Sequence, residues 1–298
     1  MQKFDLAFAW TWEYDAAFAT FLEVACQKRG LSIYQVRPDN LGLVMEALKA
    51  GELGFHCFFD RSSDADPAFL PLVAWAASHI PHRFNDFPFA RRAWDKVNMH
   101  TAFLAAGLHT PYTIILPPFV HAPALPEPDL SPLGETFVIK PAHGGGGVGV
   151  LTEAHTWAEV LAARMLFPED AYLVQTRITP VLLEGQPAWF RVIHVVDNAH
   201  PCWWNQQTHI YREVTEEEEY RLGLGPLRVM TEVIARICQL DLFSTEIACT
   251  RDGHFLAVDY VNDPIDLRPQ SLAVEGVPDS LVAQIAARVA DWVSIRIG

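Results

Sequence analysis

The sequence predicts an α/β chain in which a small parallel α/β domain precedes a mixed α+β region. Three observations carry that prediction. Apolar strand patterns alternate with helical ones through the first eighty residues; a strand ending in Lys140 runs into consecutive glycines and returns as a strand; and Asp252-Gly253 joins two alternating segments near the C-terminus.

In chain order, residues 4–10 read as a strand, 13–29 as a helix ended by Gly30, 31–37 as a strand, and the following residues to about Leu53 as a helix. Phe55–Phe59 is a third strand and Pro67–Ser78 another helix, so strands and helices alternate at the spacing of a parallel sheet. The turn after the first strand, Trp10-Thr-Trp-Glu-Tyr-Asp15, is aromatic and acidic. It reads equally as a ligand-facing strand end and as a helix start capped by Thr11. A helix then runs to Ala106, Gly107 ends it, and a strand follows Pro111. Six prolines between residues 117 and 132 mark a linker or an extended excursion.

Five of the 17 glycines lie between Gly144 and Gly149, directly after the strand Phe137-Val-Ile-Lys140-Pro. On that strand Val138 and Lys140 share one face, and Phe137 and Ile139 the other. Consecutive glycines let backbone N–H groups converge on an anion because no Cβ obstructs them, so Lys140 with Gly144, Gly145, Gly146 and Gly147 reads as a phosphate grip. Three nucleotide motifs compete here. Walker A is excluded because neither Gly-Lys-Ser nor Gly-Lys-Thr occurs. A dinucleotide turn must open a helix, whereas Val148–Thr152 has strand character. A kinase flap places its lysine after the loop and needs H-R-D and D-F-G, which are missing. What remains is a hairpin tip behind a lysine, or simply a surface turn. His143, beside the glycines, is the one histidine placed to touch a phosphate; His79 and His82 have no carboxylates at metal spacing and read as structural.

Further on, Tyr172–Thr179 and Trp189–Val196 alternate like strands, Thr215-Glu-Glu-Glu-Glu-Tyr220 reads as a solvated helix start, and residues 279–297 form an amphipathic terminal helix. Asp252-Gly253 is a favoured two-residue hairpin turn, which pairs Arg251 with His254 and, counted back along both strands, Glu246 with Asp259. Opposed carboxylates repel by roughly 0.2–1 kcal/mol. Either a bound cation reverses that sign or the pair shares a proton.

Composition bounds the remaining possibilities. With 298 residues, 50% of them hydrophobic, and 9 Trp and 18 Phe, the chain has ample core material. A net charge of −14 argues against nonspecific binding to nucleic acid or anionic membranes. Only five residues are lysine, which makes Lys96 and Lys140 unlike filler, although Lys96 alone also reads as a solvated helical lysine. Five widely spaced cysteines without a C-x-x-C, a short apolar run at the N-terminus and no 18-residue apolar segment lead us to expect reduced, buried thiols and a cytoplasmic protein. Association into homo-oligomers is compatible with this composition.

Read in order, the chain resembles the ATP-grasp superfamily. The features are an initial α/β domain, Trp94-Asp95-Lys96, Val138-Ile-Lys140-Pro with its glycine loop, Leu173-Val-Gln175, Phe190-Arg191-Val, and Glu246, Asp259 and Asn262. The resemblance implies an N-terminal domain over 1–90, a small subdomain with the flap over 91–172, and a C-terminal subdomain with a metal site over 173–298. It implies that Lys96 and Lys140 reach nucleotide phosphates, that Gln175, Thr176, Arg177 and Ile178 form the adenine hinge, and that Glu184 accepts from the ribose. Arg191, and beyond the strand end Arg268, would face the transferring phosphate or an anionic substrate. Glu246, Asp259 and Asn262 would hold Mg²⁺ or Mn²⁺. The family usually spaces its last acid and Asn by one residue, whereas Asp259-Tyr-Val-Asn262 is one longer, so a β-bulge near Tyr260-Val261 is needed to return Asn262 to the metal face. The implied activity is ATP-dependent ligation of a small-molecule carboxylate and an amine. A small-molecule kinase and a nucleotide-binding module without turnover are the alternatives.

Overall fold

A computed structural model describes residues 1–298. Strands β1 (Gln2–Trp10), β2 (Ile33–Val36), β3 (Leu53–Arg61) and β4 (His82–Phe84) form an all-parallel sheet in the order β2-β1-β3-β4. Helices α1 (Asp15–Gln27), α2 (Leu41–Ala50) and α3 (Leu70–His79) supply the crossovers that parallel strands require. The helix expected to reach about Leu53 stops at Ala50, because Gly51 adopts the left-handed conformation (φ 70°) that closes it, and Leu53 opens β3.

The single helix expected up to Ala106 is two helices, α4 (Phe87–Trp94) and α5 (Lys96–Ala105). Asp95 breaks the run: its backbone is extended, and its carboxylate accepts from the N–H groups of Val97 and Asn98, capping α5. Lys96 thereby becomes the first residue of a helix.

A second sheet, antiparallel, consists of β5 (Thr113–Leu116), β6 (Phe137–Pro141), β7 (Leu151–Ala154) and β8 (Tyr172–Thr176) in the order β5-β8-β6-β7, with α6 (Trp157–Arg164) against it. β7 starts at Leu151, three residues later than Val148, because turns from Val148 N to Gly145 O and from Val150 N to Gly147 O occupy the tip. A short ribbon, β9 (Leu182–Leu183) and β10 (Gln186–Pro187), leads into the third sheet.

That sheet orders β11 (Trp189–Val195), β12 (Asn198–Trp204), β13 (Tyr211–Glu213), β14 (Leu242–Cys249) and β15 (Phe255–Asn262) as β13-β12-β11-β14-β15, again antiparallel. Helix α7 (Glu216–Arg221) starts where the acidic run predicts, with Thr215 and Glu218 capping each other reciprocally. Helix α8 (Pro226–Cys238) packs with α4 and α5 on one face of the sheet, in a cluster of 22 buried residues. The terminal helix α9 (Asp279–Ile297) buries Leu281, Ile285, Val289 and Val293 in the 30-residue cluster that joins the other face to the parallel sheet. Each such side chain contributes roughly 1.5–3 kcal/mol on leaving water. No helix is long and apolar enough to cross a membrane, and all five cysteines are buried and unpaired.

Candidate active site

Two irregularities in one strand pair organise the site. Near the turn, Cys249 pairs with Phe255 and Ile247 with Ala257, one residue off the register that a two-residue Asp252-Gly253 loop would impose. The tip is wider, closed by Thr250 N to His254 O and Gly253 N to Thr250 O. Val258 is then an extra residue on β15, and this bulge restores the pairing of Glu246 with Asp259. Tyr260 and Val261 together oppose Thr245, and that second bulge brings Asn262 opposite Ser244. Because 244 and 246 share a face, so do 259 and 262. Asn262 Nδ2 donates to Asp259 Oδ2 at 3.0 Å.

The same row continues into β11 and β12, where Arg191 pairs with both Glu246 and Cys202. Arg191 Nη1 lies 3.9 Å from Glu246 Oε1, and its Nε donates to Ser244 Oγ at 3.1 Å. Its guanidinium faces the Trp204 ring at 4.8 Å and the Tyr211 ring at 6.0 Å. Trp189 Nε1 donates to Glu246 Oε2 at 3.0 Å.

The two carboxylates differ in electrostatic surroundings. Burial pushes Glu246 above the usual carboxylate range, and Asp259 adds to that against Arg191. Burial also opposes ionisation of Asp259, but Lys140, Lys96 and Arg191 outweigh it and hold the carboxyl below its ordinary value. Lys140, Lys96 and Arg191 thus all favour the charged form of Asp259. Two carboxylates and an amide form a hard-oxygen set, and no group of three or more His, Cys, Asp or Glu forms a metal cage anywhere. This set suits Mg²⁺, which takes one or two carboxylates and completes its shell with phosphate and water.

Lys140 reaches the site from β6. It is 6% exposed, its Nζ donates to Val258 O at 2.9 Å, and the ammonium lies 5.2 Å from the Tyr260 ring centre. Lys96 contacts the flap directly, with Nζ donating to Gly144 O at 2.6 Å. The N–H groups of Gly144, Gly145, Gly146 and Gly147 enter no backbone hydrogen bond. At the far end of the loop, Gly149 has φ 75°, a conformation that other residues adopt only under strain, and a Cβ there would push on the exposed Phe167 ring. His143 pairs through Nδ1 with Asp170 at 2.8 Å, which raises its pKa.

The expected hinge divides in two. The Gln175 side chain is turned into the core, donating to Thr113 Oγ1 and to Tyr260 OH. Thr176 ends β8, its N–H donating to Tyr112 O, while Arg177 and Ile178 make no backbone hydrogen bond and keep their peptide groups free. The Arg177 side chain pairs with Glu153 of β7 at 3.1 Å. Glu184 sits at the tip of the β9–β10 ribbon, paired with Arg221. Arg268 forks onto Asp266, at 2.6 Å for the shortest contact, and stacks 4.2 Å from the Tyr14 ring centre. None of these three side chains touches the carboxylate pair. Tyr14 belongs to the Trp10–Asp15 turn. There Asp15 is the first residue of α1 and binds buried Arg61, while Trp12 and Tyr14 remain exposed.

No protein-family model matches the sequence, and no curated protein sequence matches it. Solved structures do match over almost the whole chain. A RimK domain ATP-grasp protein from Sphaerobacter thermophilus aligns at TM-score 0.64 and 22% identity, covering 96% of this chain and 98% of its own. D-alanine–D-alanine ligase from Bacillus anthracis, complexed with ATP, aligns at 0.65 and 13%, covering 100% and 98%. The chain shares the fold of these ATP-grasp proteins. A further ATP-grasp ligase, PsnB, complexed with a minimal precursor, Mg and ADP, aligns at 0.61 and 12%, covering 98% of each chain.

Within this ATP-grasp fold, several contacts around the site escaped the motif reading. Trp189 and Ser244 lie two residues from Arg191 and Glu246 on the same strand face, a spacing that period-2 counting could have flagged. His100 and Tyr260 carry no such local signal, because they meet across 160 residues.

Proposed function

We propose that this chain is an ATP- and Mg²⁺-dependent ligase, activating a small-molecule carboxylate as an acyl phosphate for attack by an amine. The observation that carries the proposal is the row Arg191–Glu246–Asp259, with Asn262 on the same face and Lys140 and Lys96 acting on Asp259. ATP phosphates would lie between the two antiparallel sheets, held by Lys96, Lys140 and the free N–H groups of Gly144–Gly147. The free peptide groups of Arg177 and Ile178 would read the base. We assign residues 1–90, 91–172 and 173–298 as the three working units of such an enzyme.

Glu246, Asp259 and Asn262 would hold Mg²⁺, which supplies charge neutralisation at the β- and γ-phosphates. Arg191, fixed by Ser244 and the Trp204 face, would stabilise charge on the equatorial oxygens during transfer. In the first step a substrate carboxylate oxygen bonds to the γ-phosphorus and ADP leaves. In the second an amine nitrogen bonds to the acyl carbon, inorganic phosphate leaves and the amine loses a proton. The glycine flap would exclude water that would otherwise hydrolyse the acyl phosphate.

The test measures ADP release with pooled carboxylates, with and without amines, together with hydroxylamine trapping. Hydroxamate formation supports the ligase. Phosphorylated product without an amine would establish a kinase instead, and Mg-ATP binding without ADP from any pool would leave a non-catalytic binding module.

A further inference from the structure

Tyr260 lies inside the bulge that places Asn262, yet its side chain points away from the carboxylates. It is fully buried, edge-on to Phe103 at 5.2 Å. Its hydroxyl is 2.6 Å from His100 Nδ1 on α5 and 2.7 Å from Gln175 Nε2 on β8. His100 and Gln175 are 4% and 2% exposed. Three elements distant in sequence therefore meet at one oxygen.

One assignment of protons satisfies these contacts with His100 neutral. Thr113 Oγ1 donates to Pro111 O, so it accepts from Gln175 Nε2, whose second hydrogen goes to Tyr260. Tyr260 accepts that hydrogen and gives its own to His100 Nδ1. His100 is then neutral with its proton on Nε2, and burial, with Lys140 adding to it, pushes its pKa down in keeping. The Tyr260 hydroxyl thereby accepts from one partner and donates to the other, so directed hydrogen bonds and not packing alone hold the unit.

A bulge can migrate along a strand by one-residue slips, each of which turns the following side chain to the other face. Here such a slip would drag Tyr260 out of both hydrogen bonds and would rotate Asn262 away from Asp259. On the other side of Asp259, Lys140 holds Val258 O, so both bulges are pinned from outside the strand.

We propose that His100, Tyr260 and Gln175 act together as a positioning unit that locks the β15 bulge and so presents Asn262 to the cation. This inference rests on the metal-dependent reading above. It also links the hinge strand β8 to the metal strand through a single hydroxyl.

Tyr260→Phe keeps the ring and its packing and removes both hydrogen bonds. Second-sphere partners of metal ligands typically alter affinity by about 10–100-fold. In the full-length protein with a non-hydrolysable ATP analogue, Mn²⁺ affinity measured by electron paramagnetic resonance should therefore fall about tenfold. Amide exchange across residues 260–262 should quicken in the metal-free protein. Asn262→Ala should weaken Mn²⁺ binding by itself but add little in the Tyr260→Phe background. Gln175→Met, which leaves the tyrosine intact, should move both readouts in the same direction. If either variant lowers the melting temperature while Mn²⁺ affinity stays within about twofold of wild type, the residues are packing only and the inference falls. If the wild-type protein with the analogue binds no Mn²⁺, the metal-dependent reading fails, and this inference fails with it.

Discussion

The ammonium of Lys140 donates to the carbonyl of Val258 at 2.9 Å, joining the strand before the glycine flap to the residue inserted beside Asp259. Burial lowers this lysine from 10.5 to about 8, even with Asp259 favouring its charge. Phosphate binds the ammonium form. Below about pH 8 the free protein already carries that proton; above it, nucleotide binding must take one up. Affinity for an ATP analogue, measured by calorimetry, should be level from pH 6.5 to 8 and then fall, approaching tenfold per pH unit. Lys140→Met should bind weakly at every pH without that limb. The unfolded chain keeps this proton to about 10.5, so the same group should raise the stability of the free protein between pH 8 and 10.5. A flat affinity profile in the wild type would remove Lys140 from the phosphate site.

Glu246 and Asp259 face each other, but they should respond oppositely to neutralisation. Burial and the facing Asp259 both disfavour the Glu246 carboxylate, so Glu246→Gln should stabilise the metal-free protein by about 0.2–1 kcal/mol. Asp259 is held ionised by three cations, and Asp259→Asn should destabilise it by about 1–3 kcal/mol. Both should abolish Mg²⁺-dependent ADP release. Urea unfolding in chelator, compared with turnover in excess Mg²⁺, checks the signs. Equal signs would mean that the pair shares a proton.

Arg61 is 3% exposed, binds Asp15 at 2.6 Å, and also donates to Ile265 O at 2.7 Å, three residues beyond Asn262. Asp15→Ala would remove the one carboxylate that is hydrogen-bonded to the buried guanidinium, leaving Asp64 and Asp263 as its more distant counter-charges, and should cost up to about 3–5 kcal/mol of unfolding free energy in urea. The double change Asp15→Ala with Arg61→Met should recover most of it, since an apolar pair needs no partner. A double variant no more stable than Asp15→Ala alone would show that the cost comes from the α1 start instead.

Much of the site was legible because strand chemistry is local. Period-2 alternation placed Lys140 on its strand face, and the spacing Asp259-Tyr-Val-Asn262 demanded a bulge at Tyr260-Val261, which is where the register shifts. The Glu246–Asp259 pairing was reached by a route the structure corrects. The Asp252-Gly253 tip is wider than two residues, and an unforeseen bulge at Val258 compensates. Turn width depends on the hydrogen bonds of Thr250 and His254, which no turn dipeptide specifies. Asp95 shows the same limit. It is read as part of a helix until its carboxylate caps the next one.

The sequence by itself determined the alternation of elements, the lysine before the glycines and the presence of two acids and an amide near the end of the chain. These follow from backbone geometry and side-chain chemistry within a few residues. Only the tertiary structure decided that Lys140 is buried on Val258, that Arg191 sits against Trp204, that Glu184 and Arg268 are engaged elsewhere, and that Tyr260 meets His100 and Gln175. Those contacts join residues tens to more than a hundred positions apart. They are selected by how sheets and helices pack, where desolvation makes each buried donor find its acceptor.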